Sequence, residues 1–146
     1  MKKIEFLIAT ALVIIMLASC SSIDDSVLSD MSTTEITETL DGTSWKVVYY
    51  FDNSDGESTD DFAGYTFDFA EDGTLTATLG SETFTGTWVI KNSDDDPDYD
   101  KEIDINIAGN KQMDEVEGSW LITELSDTSM KLKDDNGAEE IHFSKL

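Results

Sequence analysis

The sequence predicts an all-β fold, a small eight-stranded antiparallel up-and-down barrel. Three observations predict it. Apolar residues recur at every second position from Ser44 onward, glycine-bearing turn signals separate the alternating runs, and each run has one dry face that needs a partner.

The runs follow in order. Trp45, Val47, Tyr49 and Phe51 alternate with Lys46, Val48 and Tyr50. Tyr65, Phe67 and Phe69 alternate with Thr66 and Asp68, and Leu75, Ala77 and Leu79 with Thr74, Thr76 and Thr78. Phe84, Gly86, Trp88 and Ile90 share a face opposite Thr83, Thr85 and Thr87. Ile103, Ile105 and Ile107 oppose Glu102, Asp104 and Asn106, while Trp120 and Ile122 oppose Leu121 and Thr123. Met130 and Leu132 oppose Lys131 and Lys133, and Ile141 and Phe143 oppose Glu140, His142 and Ser144. Threonine, β-branched and aromatic residues at period two suit half-buried antiparallel strands.

Glu71-Asp72-Gly73 and Asp135-Asn136-Gly137 offer glycine where a tight turn needs positive φ. Leu79–Glu82 and Ser126–Thr128 read as tight connections as well, leaving Asp52–Ala63, Asn92–Lys101 and Ala108–Gly118 as longer loops. The one proline, Pro97, falls in a loop. Closing eight one-sided strands into a barrel buries every dry face and removes sheet edges. An immunoglobulin-like sandwich with the longer loops as crossovers is the competing architecture. A glycine precedes each tryptophan closely, in Gly42-Thr43-Ser44-Trp45, Gly86-Thr87-Trp88 and Gly118-Ser119-Trp120. Such a glycine lets the chain bend while the indole enters the core, so all three tryptophans are expected inside.

Leu40-Asp41-Gly42-Thr43-Ser44-Trp45 resembles the glycine-x-tryptophan opening of lipocalin-like barrels, with one extra residue before the tryptophan. Phe69-Ala70-Glu71-Asp72-Gly73-Thr74 and Thr85-Gly86-Thr87-Trp88 resemble a pattern of lipocalin-like domains in bacterial lipoproteins, and Ile141–Lys145 looks like that family's last strand. The resemblance implies an eight-stranded up-and-down barrel over residues 40–146. It supplies no ligand.

The N-terminus carries a separate message. Lys2 and Lys3 precede an apolar run from Phe6 to Leu17 broken only by Thr10. A membrane span needs roughly 20 apolar residues, so the run is better suited to a secretory signal. It ends in Leu17-Ala18-Ser19-Cys20, which resembles the lipobox of bacterial lipoproteins at all four positions. That resemblance implies cleavage after residue 19, lipidation at Cys20 and attachment to the outer membrane. Residues 20–39 then form an acidic tether, mostly flexible, whose Thr33–Leu40 stretch also suits a short helix. Asp24 and Asp25 resemble the acidic signal that sends some lipoproteins to the outer face of the outer membrane, against a periplasm-facing alternative.

The full chain has 9 basic and 32 acidic residues, a net charge of −23, and no arginine. Loss of the signal removes Lys2, Lys3 and Glu5 and leaves the remainder more negative still. Such a surface repels nucleic acid and anionic headgroups and favours solubility or a basic partner. Cys20 is the only cysteine, so the domain has no disulfide and depends on its core.

Enzyme chemistry finds little material. His142, the one histidine, falls on the wet face of the last strand. No nucleophile elbow, phosphate-binding glycine loop or multi-histidine metal set accompanies it, and no cofactor is expected. Carboxylates abound, but mobile acidic loops lack the apolar surroundings that raise a general acid's pKa. The sharpest cation candidate is Asp94, Asp96, Asp98 and Asp100, with Asp52–Gly56 a second oxygen-rich loop. Neither matches the twelve-residue calcium loop, and a solvated acidic loop is the competing account.

Two non-enzymatic functions remain for a barrel, beside adhesion for the competing sandwich. A barrel open at one mouth would take a small apolar or amphipathic ligand, with Tyr50, Phe51, Phe62 and Tyr99 as the binding residues. A filled barrel would instead face another envelope protein. Val48, Tyr50, Val89, Leu121 and Leu125, expected outward, would then supply an apolar patch.

Overall fold

The computed structural model describes Leu28 and residues 30–93 and 101–146. A helix α1 (Thr33–Leu40) precedes the strands β1 (Ser44–Asp52), β2 (Gly56–Glu57), β3 (Tyr65–Phe69), β4 (Thr74–Leu79), β5 (Glu82–Asn92) and β6 (Lys101–Asn106). A second helix, α2 (Lys111–Val116), leads to β7 (Gly118–Leu125), β8 (Ser129–Lys133) and β9 (Glu139–Lys145). Every pairing is antiparallel, each strand from β3 to β8 pairs with the next, and β1 bridges β3 and β9. This closes an eight-stranded barrel, as expected from the one-sided runs. The two-residue β2 extends the wall beside the far end of β1, where Phe51 pairs with Glu57.

The interior is the dry face read from the sequence. Trp45, Phe67, Phe69, Leu75, Ala77, Ile103, Ile105, Trp120, Ile122, Met130, Leu132, Ile141 and Phe143 are all buried in one core. Outside, threonines face each other across β3, β4 and β5, as in Thr66 with Thr78 and Thr76 with Thr85. Such pairs suit the wet face of a sheet.

Two expectations about side-chain direction fail, each at a bulge. In β1 the register moves from Val47 opposite Phe143 to Tyr49 opposite His142, so Val48 is an extra residue. Everything beyond it changes face. Tyr50, expected outward, is 1% exposed, while Tyr49 lies outside against His142, the rings tilted and their centroids 4.7 Å apart. In β7 the register moves between Ile122 and Glu124, and Leu125 turns from the expected outer face into the core. One inserted residue reverses a period-two pattern, which is why alternation alone misplaced both.

Two loops hold more structure than expected. Ala108–Gly118 contains α2, whose Met113 and Val116 are buried and whose N-cap Asn110 accepts a hydrogen bond from the Met113 N–H. Asp52–Ala63 contains β2 and a 3-10 turn over Thr59–Phe62 that buries Phe62. The optional helix of the tether is present as α1. A capping box joins Ser32 and Glu35 at its start, and Ile36 and Leu40 are buried. Leu28 is buried in the same core, so the folded unit begins well before residue 40.

Strand direction sorts the connections between two ends. The α1 end carries the β3–β4 turn, the β7–β8 turn and the C-terminus. The α2 end carries the 3-10 turn, the β4–β5 turn and the β8–β9 turn. Asn92 and Lys101, which bracket the acidic loop, stand at the α1 end, opposite the other two long connections.

The long β5 leaves β4 for β6 near Gly86. A Cβ there would meet the Asn106 carbonyl oxygen and lie 2.7 Å from the Ile107 Cβ. Gly86→Ala should therefore cost about 1–3 kcal/mol by overpacking. Urea unfolding of the variant would measure it, and a wild-type midpoint would refute the close approach.

Candidate functional site

The sequence-derived ligand candidates converge on the α2 end. Tyr50 comes from β1 after its bulge and Phe62 from the 3-10 turn, and their ring centroids lie 5.2 Å apart. Phe62 meets Tyr65 edge-on at 6.4 Å, and Tyr65 stacks on Phe67 at 6.2 Å. Phe67 meets Phe143 at 5.4 Å, Phe143 meets Phe69 at 5.9 Å, and Phe69 meets Trp88 at 5.5 Å. The rings form a continuous column along the barrel in tilted, stacked and edge-to-face contacts, geometries that aromatic quadrupoles favour when offset. Tyr50 and Phe62 are thus joined, but as buried members of this column. Phe51 is half-buried on the neighbouring β1 position, and Tyr99 lies outside the described residues.

Both ends are covered. At the α2 end, Asn110 Nδ2 donates to the Tyr65 hydroxyl at 2.7 Å, and the Trp120 indole N–H donates to the Val116 carbonyl at 3.0 Å. At the α1 end, the Trp45 indole N–H donates to the Leu40 carbonyl at 3.1 Å, and that of Trp88 to the Ala70 carbonyl at 3.0 Å. Two of these carbonyls end helices, where the last C=O groups have no intrahelical donor. All three tryptophans are buried, as expected. Among the described residues, two open grooves lie beside α1 and the turn that follows it. The larger, about 490 Å³, is lined by Thr33, Thr34, Thr37, Trp88, Val89 and Ile90 together with the β3–β4 turn. The smaller lies along Asp41–Ser44 and Asp68–Ala70.

Charge gathers at the α2 end. Lys111 lies 3.2 Å from Glu115, 3.8 Å from Asp55 and 3.9 Å from Asp61. The Glu115 hydrogen bond, then its charge, holds this ammonium above its ordinary range. Two polar atoms beneath are buried without a partner, the Tyr50 hydroxyl and Glu115 Oε2. Burial first, then the carboxylates of Glu115, Glu139, Asp52 and Asp55, pushes the Tyr50 phenol well above its usual range. Burial, then Asp52, Asp134 and Glu115, raises Glu139. Sequence reading missed Glu115 and Glu139, which become neighbours of Tyr50 only through α2 and the β1 bulge.

Among the described residues no group of three or more histidine, cysteine or acidic side chains is placed to hold a metal. Asp52–Gly56, the second oxygen-rich loop of the sequence, is a hairpin turn in which Asp52 Oδ1 accepts from the Ser54 N–H at 2.6 Å. Asp94, Asp96, Asp98 and Asp100 lie outside the described residues, as does Cys20. His142 is engaged on the outer wall, with Nε2 2.6 Å from Glu140 Oε1. The expected apolar patch does not assemble. Val48 and Val89 are 46% and 49% exposed on separate strands, but Tyr50, Leu121 and Leu125 are buried.

No protein-family model matches the chain, and no curated protein matches it. Among solved structures, a DUF4847 family protein from Bacteroides vulgatus is similar. The two share 17% identity at a TM-score of 0.53, over 75% of this chain and 96% of that one. The likeness is one of fold. A protein from Burkholderia xenovorans matches at 15% identity and a TM-score of 0.48, over 77% of this chain and 88% of that one.

Two predictions follow from the charge at the α2 end. A buried, unpartnered hydroxyl costs about 1–3 kcal/mol of desolvation. Tyr50→Phe should therefore unfold at higher urea concentration than wild type, and a loss of stability would mean that the phenol has a partner. For Glu139, the folded pKa stands above the ordinary 4.5, so the folded chain binds more protons across that window and stability falls as pH rises through it. Glu139→Gln should be more stable than wild type at pH 7, and the difference should vanish near pH 4. Equal midpoints at both pH values would refute the raised pKa.

Proposed function

We propose that this protein is a membrane-anchored, non-enzymatic lipoprotein of the bacterial envelope whose filled barrel serves as an interaction module. It presents an acidic surface to a basic patch on another envelope protein. The observation that carries this reading is the aromatic column. Tyr50 and Phe62, two of the four residues that the sequence offered for an open mouth, are spent on packing the interior. The lipobox at Leu17–Cys20 supports a diacylglyceryl anchor with further acylation, and each buried CH₂ is worth about 0.8 kcal/mol. Asp24 and Asp25 favour the outer face of the outer membrane. With a net charge of −23, the partner's contact surface should be cationic and its binding sensitive to salt. The reading involves no cofactor and no nucleic acid.

A small-ligand reading keeps one supporting observation, the groove beside α1 with Trp88 and Ile90 in its wall. Native mass spectrometry on residues 21–146 separates the two. A bare polypeptide mass, unchanged after challenge with a lipid extract, is expected. One co-purifying small molecule per chain, removable and rebinding, would overturn the filled-barrel reading. Metabolic palmitate labelling should mark the wild type and miss Cys20→Ser; labelling of neither would remove the anchor.

A further inference from the structure

We propose that the barrel stands on the membrane by its α1 end and turns its α2 end outward. The inference rests on the lipid-anchor reading above. The tether is shorter than the sequence suggested, because its second half is docked. The Leu28 side chain is buried, the capping box fixes the start of α1, and the Trp45 indole holds the Leu40 carbonyl at its end. Seven residues remain between Cys20 and Leu28. Their eight Cα–Cα links span at most about 26–29 Å when fully extended.

The barrel wall sets the other length. β1 has nine residues, whose eight steps of about 3.3 Å cover about 26 Å. A strand tilt of roughly 40° leaves about 20 Å along the barrel axis, before the turns and α2 are added. Laying the α2 end on the bilayer would require the seven residues to run nearly straight down the wall, with most of their conformational freedom lost. Laying the α1 end there requires no extension. Glu35, Glu38, Glu71, Asp72 and Asp127 lie at the α1 end and oppose flush contact with anionic headgroups, so the tether, and not adhesion, fixes the orientation. The surface left for a basic partner is the α2 end, with Asp55, Asp61 and the β8–β9 turn Asp134–Gly137.

The test uses the lipidated protein in phosphatidylcholine vesicles that carry a headgroup-linked quencher. Thr128→Cys, in the β7–β8 turn, and Ser81→Cys, in the β4–β5 turn, place a fluorophore at exposed sites on opposite ends. The Cys20 sulfur, held in its thioether, does not take the label. The Thr128 label should lose at least twice the intensity of the Ser81 label. Equal quenching, or stronger quenching at Ser81, overturns the orientation. Inserting a 20-residue Gly/Ser spacer after Ser22 should shrink the difference, since it adds about 25 Å of flexible reach. An undiminished difference would mean that lipid contact, and not the tether, orients the barrel. If wild type floats with vesicles no better than Cys20→Ser, the anchor reading falls and takes this proposal with it.

Discussion

Three indole N–H groups tie the ends of this barrel to the segments beside them. Trp45, Trp88 and Trp120 each bury a large apolar ring and each direct one donor to a backbone carbonyl, at Leu40, Ala70 and Val116. Neither helix has a basic residue in its last turn, so the indoles stand in for the cations that often complete a helix C-terminus. A closed barrel wall satisfies its own backbone but leaves two open ends with an apolar interior behind them. The tryptophans solve both problems with one residue type, filling the ends and securing the segments that cap them. Every other feature of the interior follows from that closure, because a column of packed rings is stable only when water is kept from its two termini.

The charge distribution reflects the same division. Inside, the described core is hydrocarbon, and its loose polar ends are the Tyr50 hydroxyl and Glu115 Oε2. Outside, carboxylates outnumber lysines so heavily that ion pairs are scarce and local. Lys91 pairs with Asp104 and Lys131 with Glu124 across adjacent strands, while Lys111 serves three acids at once. Exposed pairs of this kind add little stability. Asp72, whose carboxylate accepts from the Thr74 N–H, owes its lowered pKa to its hydrogen bonds with Thr74. Solubility and repulsion of anionic surfaces are what such an exterior provides.

Most of the wall was legible in the sequence because threonine on one face and isoleucine, leucine or aromatics on the other leave no doubt about phase, as in Ile103–Ile107 and Tyr65–Phe69. The phase was not legible where both faces are apolar. Val47-Val48-Tyr49-Tyr50-Phe51 reads equally well in either register, and only the bulge at Val48, imposed by pairing with β9, decides which rings enter. Six residues of α2 are too few to display a helical period, although Asn110 three residues before Met113 is an N-cap pattern. The α2-end carboxylates were invisible for a related reason. Glu115, Glu139 and Asp52 are far apart in the chain, and pairing across the barrel alone brings them to one phenol.

Closure through β1 and β9 also governs when this fold can exist. The first wall strand finds one of its two neighbours only in Glu139–Lys145, so the ring stays open until nearly the whole chain is available. Pairing so distant in sequence carries the loop-closure entropy that slows β-rich folding to milliseconds or longer. A chain that has not yet docked β9 therefore has an unpaired edge on β1 and an unsealed apolar interior. Rigidity of the whole wall then waits on one long-range step, the docking of Glu139–Lys145 against Ser44–Asp52.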